Sequence, residues 1–126
     1  VLAARRPPPG AAPELLLPVP LHRQRLVERG YNQALEIARP VAERLGLVLA
    51  PSLARRVVAT AGQTGLSRAA RRRNLRGAFV ADGCAGRRVA IIDDVITTGS
   101  TAAALLRALR RAGAASVEVW AVARTL

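Results

Sequence analysis

The chain has 126 residues, 51% of them hydrophobic, a formal charge of +12 and a single cysteine. That length suits one domain, burying roughly two-thirds of its unfolded surface, and with one each of Phe, Tyr and Trp its core must be aliphatic. All 20 basic residues are arginine, which excludes a P-loop with its lysine and a lysine Schiff base, while one cysteine excludes an intramolecular disulfide and a multi-cysteine zinc site. The charge favours anionic partners, whether nucleic acid or a polyphosphorylated metabolite. No apolar run reaches the length of a membrane span and no signal-type segment opens the chain, so a cytoplasmic location is expected. The start at Val1 rather than Met suggests a fragment or a trimmed chain.

Residues 1–13, VLAARRPPPGAAP, lack periodicity and read as a flexible arm or linker, which leaves 14–126 as the domain. ELLLPVP (14–20) reads as a buried strand ending at Pro18 or Pro20. LHRQRLVERGYNQ (21–33) reads as a polar loop. Apolar residues at 35, 38, 41, 42 and 45 predict a helix over 32–46, capped by Asn32, stopped by Gly46 and subject to a kink at Pro40. LVLAPSLARRVVA (47–59) holds one or two short strands. Residues 60–77 are small, polar and basic, as in a mobile loop with a short helix starting near Ser67. RRVAIIDDV (87–95) is a continuous apolar strand of the kind covered on both faces. STAAALLRALRRAG (100–113) is a helix ending at Gly113. ASVEVWAVARTL (115–126) is a last strand, with Val117, Val119, Ala121 and Ala123 on one face and Trp120 expected in the core. Strand, helix, strand in that order predicts a right-handed βαβ unit in a mainly parallel sheet.

The stretch VAIIDDVITTGST (89–101) carries the chemistry. A parallel strand delivers its C-terminal end to the crevice where open α/β sheets bind ligands, and Asp93 and Asp94 sit there. The following helix start directs free N–H groups and its positive dipole end at the same crevice. Gly99 allows a phosphate close to the backbone, and Thr97, Thr98, Ser100 and Thr101 add hydroxyl donors. Carboxylates accept from hydroxyls and the helix start donates to phosphate, so a sugar 5-phosphate suits the pair. A receiver domain or a Walker B strand can also end in Asp-Asp, but the first lacks its lysine here and the second its P-loop.

This stretch resembles the PRPP-binding signature of type I phosphoribosyltransferases. With LLPVPLHRQRLVERGYNQ (16–33), GQTGLSRAARRRNLRGAF (62–79) and VEVWAVARTL (117–126), the chain resembles the ComF/GntX family of competence-associated, phosphoribosyltransferase-like proteins over residues 15–126. The resemblance implies a type I phosphoribosyltransferase-like, Rossmann-like α/β fold: a mainly parallel sheet flanked by helices. It implies that Asp93 and Asp94 hold the ribose hydroxyls of PRPP, directly or around Mg²⁺, as the catalytic and metal-binding pair. Thr97, Thr98, Gly99, Ser100 and Thr101 would cradle the 5-phosphate. The pyrophosphate side would fall to Leu21, His22 and Arg23, with Arg29, Asn32 and Gln33 of the RG-aromatic-NQ motif. Gln63, Ser67, Arg68, Arg72 and Asn74 fall on a basic segment that closes over the site in some relatives. The chain departs from the family in lacking a four-cysteine zinc ribbon, in reading TTGST where many transferases have TGGT, and in showing no base-binding hood.

Two functions stay open at this level. One is Mg²⁺-dependent phosphoribosyl transfer from PRPP, serving DNA uptake and competence or nucleotide salvage. The other is a non-catalytic module that senses PRPP or a nucleotide, or binds single-stranded DNA in the uptake machinery. The arginines at 68–76 favour DNA, and the scarcity of aromatic residues for base stacking counts against it. Competence proteins and a second copy of the chain are the candidate protein partners.

Overall fold

The computed structural model describes residues 12–21, 23–57, 78–96 and 99–124. In chain order its elements are β1 (Leu15–Pro18), α1 (Arg23–Arg29), α2 (Gln33–Leu45), β2 (Val48–Leu49), β3 (Ala54–Arg56), β4 (Phe79–Ala81), β5 (Arg88–Ile96), α3 (Ser100–Arg111) and β6 (Ser116–Arg124). Four strands form a sheet in the order β2-β1-β5-β6, and β3 and β4 form a separate antiparallel pair. Every pairing in the four-stranded sheet is parallel, with Leu15 opposite Val48 and Val89, and Ile91 opposite Val119. This is the mainly parallel α/β architecture expected.

Alternation along the two central strands builds two cores. Leu15 and Leu17 of β1 and Val89 and Ile91 of β5 pack with Leu105 and Leu109 of α3, together with Phe79 of β4. Leu16, Ala90 and Ile92 point the other way and pack with Ala38 and Ala42 of α2. Both central strands are therefore apolar without interruption, because a helix covers each face of the sheet. Full burial of Leu105 or Leu109 contributes about 1.5–3 kcal/mol each. Ala34, Ala38 and Ala42 fall at every fourth position of α2 and are all buried, so the helix approaches the sheet on a ridge of methyl groups.

The ends of α2 are where the sequence puts them. The Asn32 side chain caps it by accepting from the Ala34 amide at 3.0 Å. Gly46 closes it at φ 68°, a left-handed conformation that costs glycine nothing. Pro40 lies on the exposed face and the helix runs through it.

One reading needs correction. Residues 21–33 are not all loop, because RQRLVER forms α1, ending where the Gly30 amide bonds the Leu26 carbonyl at 2.8 Å. Its residues are good helix formers, but Leu26 and Val27 both stay exposed, so no apolar periodicity marks it. On β6, Val117 packs against the α3 side, but Val119 is 37% exposed, while Trp120 is buried on the opposite face among the α2 residues. The strand is at the edge of the described sheet and is covered unevenly. Residues 60–77 lie outside the described residues. The strand β4, which no sequence pattern marks, pairs with β3, and the Val57 amide bonds the Ala78 carbonyl at 2.7 Å. Among the described residues no helix is long and apolar enough to cross a membrane.

Candidate functional site

The C-terminal end of β1 lies beside the middle of β5, which runs on to Ile96. Pro18 pairs with Ile92, and the Val19 amide continues the ladder to the Ile92 carbonyl at 2.9 Å. Asp93 follows at once, still in register with Ala121 of β6. The apolar run thus stops where β1 ends, and the next two residues are carboxylates inside β5, which stays paired with β6 as far as Ile96.

Asp93 and Asp94 are both half-buried. The Asp94 amide donates to Asp93 Oδ1 at 2.8 Å. Burial pushes the Asp93 carboxyl up to about 6, helped by the hydrogen bond and the negative charge of the Asp94 side chain and opposed by the Asp94 amide. A carboxylate held in this way gains from an incoming cation or hydroxyl donor, either of which favours its charged form. Among the described residues no group of three or more His, Cys, Asp or Glu side chains could hold a metal ion by themselves. Two adjacent carboxylates still fit Mg²⁺, which keeps water and ligand oxygens and takes only one or two carboxylates from a protein.

The helix start is built to leave its end open. Gly99 is the N-cap of α3, at φ 79° and with no side chain to cap the first turn. Among the described residues nothing lies within 4 Å of where a Cβ would stand on it. The Ala103 amide bonds the Gly99 carbonyl at 2.8 Å, which starts the helix there. Ser100 is exposed and Thr101 half-buried on the first turn. Of the residues named for the 5-phosphate, Gly99, Ser100 and Thr101 are thus placed at the end of α3 nearest Asp93 and Asp94 in the chain, while Thr97 and Thr98 lie outside the described residues.

On the neighbouring strand, Leu21 follows β1 and is half-buried. Arg23 opens α1 and Arg29 closes it, with Arg29 exposed. Gln33 is the first residue of α2 and is exposed. Asn32 has a role that sequence reasoning caught only in part: besides capping α2, its Nδ2 donates to the Val19 carbonyl at 3.1 Å. It ties the start of α2 to the end of β1, and no local pattern reports a bond across that distance. His22, Arg68 and Arg72 lie outside the described residues.

Sequence reasoning also missed a cleft of about 820 Å³ at the C-terminal end of β1. Pro18, Pro20 and Leu21 line it from that end, and Pro51, Ser52 and Ala54–Val57 line it from the segment after β2. Neither aspartate is among its described lining residues. The signal was absent because the β3 residues reach this place only through the β3–β4 pair.

The chain was compared with known proteins on this basis. A family model described as the phosphoribosyl transferase domain matches residues 42–125. The chain is 42% identical over 127 residues to DNA utilization protein YhgH of Salmonella typhi, covering 100% of this chain and 56% of that protein. It is 41% identical over 127 residues to the protein of the same name from Escherichia coli (strain K12), with the same coverage. It is 40% identical over 116 residues to Competence protein F of Haemophilus influenzae, covering 89% of this chain and 51% of that protein. The chain therefore spans about half the length of the curated relatives it matches. No solved structure gives a significant match. On the family match, and with a parallel sheet whose central strand carries two carboxylates just past the end of β1, the chain belongs to the phosphoribosyl transferase domain family.

Proposed function

We propose that this domain binds PRPP at the β5–α3 edge with Mg²⁺ and transfers its phosphoribosyl group to an acceptor, in the service of DNA uptake and utilisation or nucleotide salvage. The observation that carries the reading is the placement of Asp93 and Asp94 on the central strand β5 just past the end of β1, with the uncapped start of α3 five residues on. The chemistry asks mainly for positioning and charge. As the bond from C1 to pyrophosphate breaks, the ribose acquires oxocarbenium character, and the protein must hold it and stabilise the leaving anion. Asp93 and Asp94 accept from the ribose hydroxyls, while α3 donates to the 5-phosphate. Mg²⁺, held by the same carboxylates and ligand oxygens, supplies charge neutralisation on the pyrophosphate. Asn32 keeps the loop after β1 in place beside them.

Calorimetric titration with PRPP and Mg²⁺, followed by pyrophosphate release across a panel of bases, tests the reading. Saturable PRPP binding supports it, and no binding at millimolar PRPP rejects it. Binding without pyrophosphate release would make the domain a sensor.

The charge of +12 and the arginines between 68 and 76 favour a second reading, contact with single-stranded DNA. If it holds, Arg71, Arg72 and Arg73→Ala lowers both the affinity and the slope of log K against log salt, by about 0.7 per lost contact, and leaves PRPP binding unchanged. If the segment instead serves PRPP, the triple variant loses PRPP affinity and DNA binding stays as it was.

A further inference from the structure

The two edges of the described sheet are finished differently. β2 is only two residues long, Val48–Leu49, and Pro51 stands two positions beyond it, which blunts that edge against further pairing. β6 has nine residues, Ser116–Arg124, with neither proline nor glycine among them. Val117, Val119, Trp120 and Val122 give it strong strand propensity. Its register on β5 holds from Ser116 opposite Arg88 to Arg124 opposite Ile96, so no bulge turns the far edge away. Among the described residues β6 pairs with β5 alone. Backbone amides and carbonyls of alternate residues therefore face outward along the strand, a template for one more strand. Val119 is exposed, and Ala121 and Val122 are only half-buried.

We infer that the open edge of β6 is a self-association surface, on which β6 of a second copy pairs antiparallel about a two-fold axis through Ala121. The occupant is read from the charges. Glu118 and Arg124 are the only charged residues of the strand, and each stands three positions from Ala121. A two-fold axis perpendicular to the sheet sets position 118 of one copy against position 124 of the other, and symmetry repeats the match. A glutamate thus faces an arginine at both ends of the pairing. The same register sets Trp120 against Val122 of the second copy on the α2 face, an aromatic residue against a β-branched one. Other registers lose these matches. Centred on position 118 or 124, the pairing opposes like charges, and centred on Trp120 or Val122 it leaves both charges facing uncharged residues. Within one chain Glu118 and Arg124 do not meet, since six positions of strand hold them about 20 Å apart. The product is one continuous sheet with the two blunted β2 edges outermost.

Analytical ultracentrifugation of the full chain over a concentration series should show a reversible monomer–dimer equilibrium. Glu118→Arg and Arg124→Glu each set like charges across the axis, and because symmetry repeats the pair each should weaken the dimer about ten-fold. The double variant Glu118→Arg/Arg124→Glu exchanges the charges and should return wild-type association. A role within one chain, such as the bond that Trp120 Nε1 donates to Glu118 Oε2 at 3.3 Å, would not be restored by that exchange. Ala121→Cys should give a disulfide-linked dimer on mild oxidation, since residues opposite across an antiparallel pair lie within disulfide reach. Ser116→Cys, whose two copies fall at opposite ends of the pairing, should not, and the native Cys84 is buried. Circular dichroism establishes that each variant is folded. The inference is overturned if the chain stays monomeric at millimolar concentration, if the single charge variants associate like the wild type, if the double variant does not recover, or if Ala121→Cys forms no disulfide dimer. Failure of PRPP to bind would reject the phosphoribosyl reading, and the dimer measurements would still decide this one.

Discussion

The Asn32 side-chain amide donates to the Val19 carbonyl at 3.1 Å while its oxygen accepts from the Ala34 amide at 3.0 Å. One side chain therefore fixes both where α2 begins and where the chain leaving β1 runs. Asn32→Ala should cost about 1–2 kcal/mol in urea unfolding, for the lost cap and a half-buried bond. Asn32→Asp keeps the cap and removes only the donor to Val19. It should fall between the two, and wild-type stability in the aspartate variant would show that the Val19 bond contributes nothing.

Asp93→Asn and Asp94→Asn should each weaken PRPP by on the order of 1.5–3 kcal/mol, the worth of a charge-assisted acceptor, or roughly 10- to 150-fold. Calorimetry with saturating Mg²⁺ measures it. Unchanged affinity in both variants would remove the ribose assignment.

The raised pKa of Asp93 has a signature in stability. Its folded value of about 6 lies above its ordinary 3.8, so the folded state binds the proton more tightly than the unfolded state. That stabilisation is fully present below the ordinary value and is lost as pH rises through about 6. The full shift would correspond to about 3 kcal/mol, but solvent screening at a half-exposed group leaves about 1 kcal/mol. In chelator-treated protein, Asp93→Asn should therefore flatten the decline in urea midpoint between pH 4 and 6 and exceed the wild type at pH 7. A wild-type midpoint that does not fall across this window would contradict the prediction. Glu14 works in the opposite sense. The Arg88 amide and the Arg87 guanidinium hold its carboxyl below the ordinary 4.5, so its contribution is present above that value and is lost as pH falls below it.

Gly99→Ala meets no steric obstacle among the described residues, none of which lies within 4 Å of the new Cβ. The cost is conformational, about 1 kcal/mol for a left-handed residue with a side chain. If α3 holds the 5-phosphate, the same methyl group also obstructs the approach of the anion. Thermal unfolding should show the small loss of stability, and affinity for ribose 5-phosphate should fall further than that loss explains.

Much of the sheet and two of the three helices among the described residues were legible in the sequence, and the reason differs by element. β1 and β5 announce themselves because burial on both faces leaves no polar position in Leu15–Leu17 or Val89–Ile92. α2 carries its own punctuation in Asn32 and Gly46. α1 carries none, because it buries neither Leu26 nor Val27. At the site, Asp93, Asp94 and Gly99 were legible because their chemistry is local in the chain. The cleft at Tyr31 and Ser52 was not, since it exists only once β3 has paired with β4 and come alongside β1. A fold-dependent concavity leaves no periodic trace.

The register between β1 and β5 also governs how the molecule can assemble. Glu14 and Arg88, which bracket the start of that pairing, are 74 residues apart in the chain. The central hydrogen-bonded ladder of the sheet is thus a distant pairing, and its loop-closure entropy must be met before any of its contacts form. During synthesis Leu15–Pro18 leaves the ribosome long before Val89–Ile92 exists. Until then the nascent chain exposes an unpaired apolar strand, so its yield should depend on chaperone capacity more than its modest size suggests.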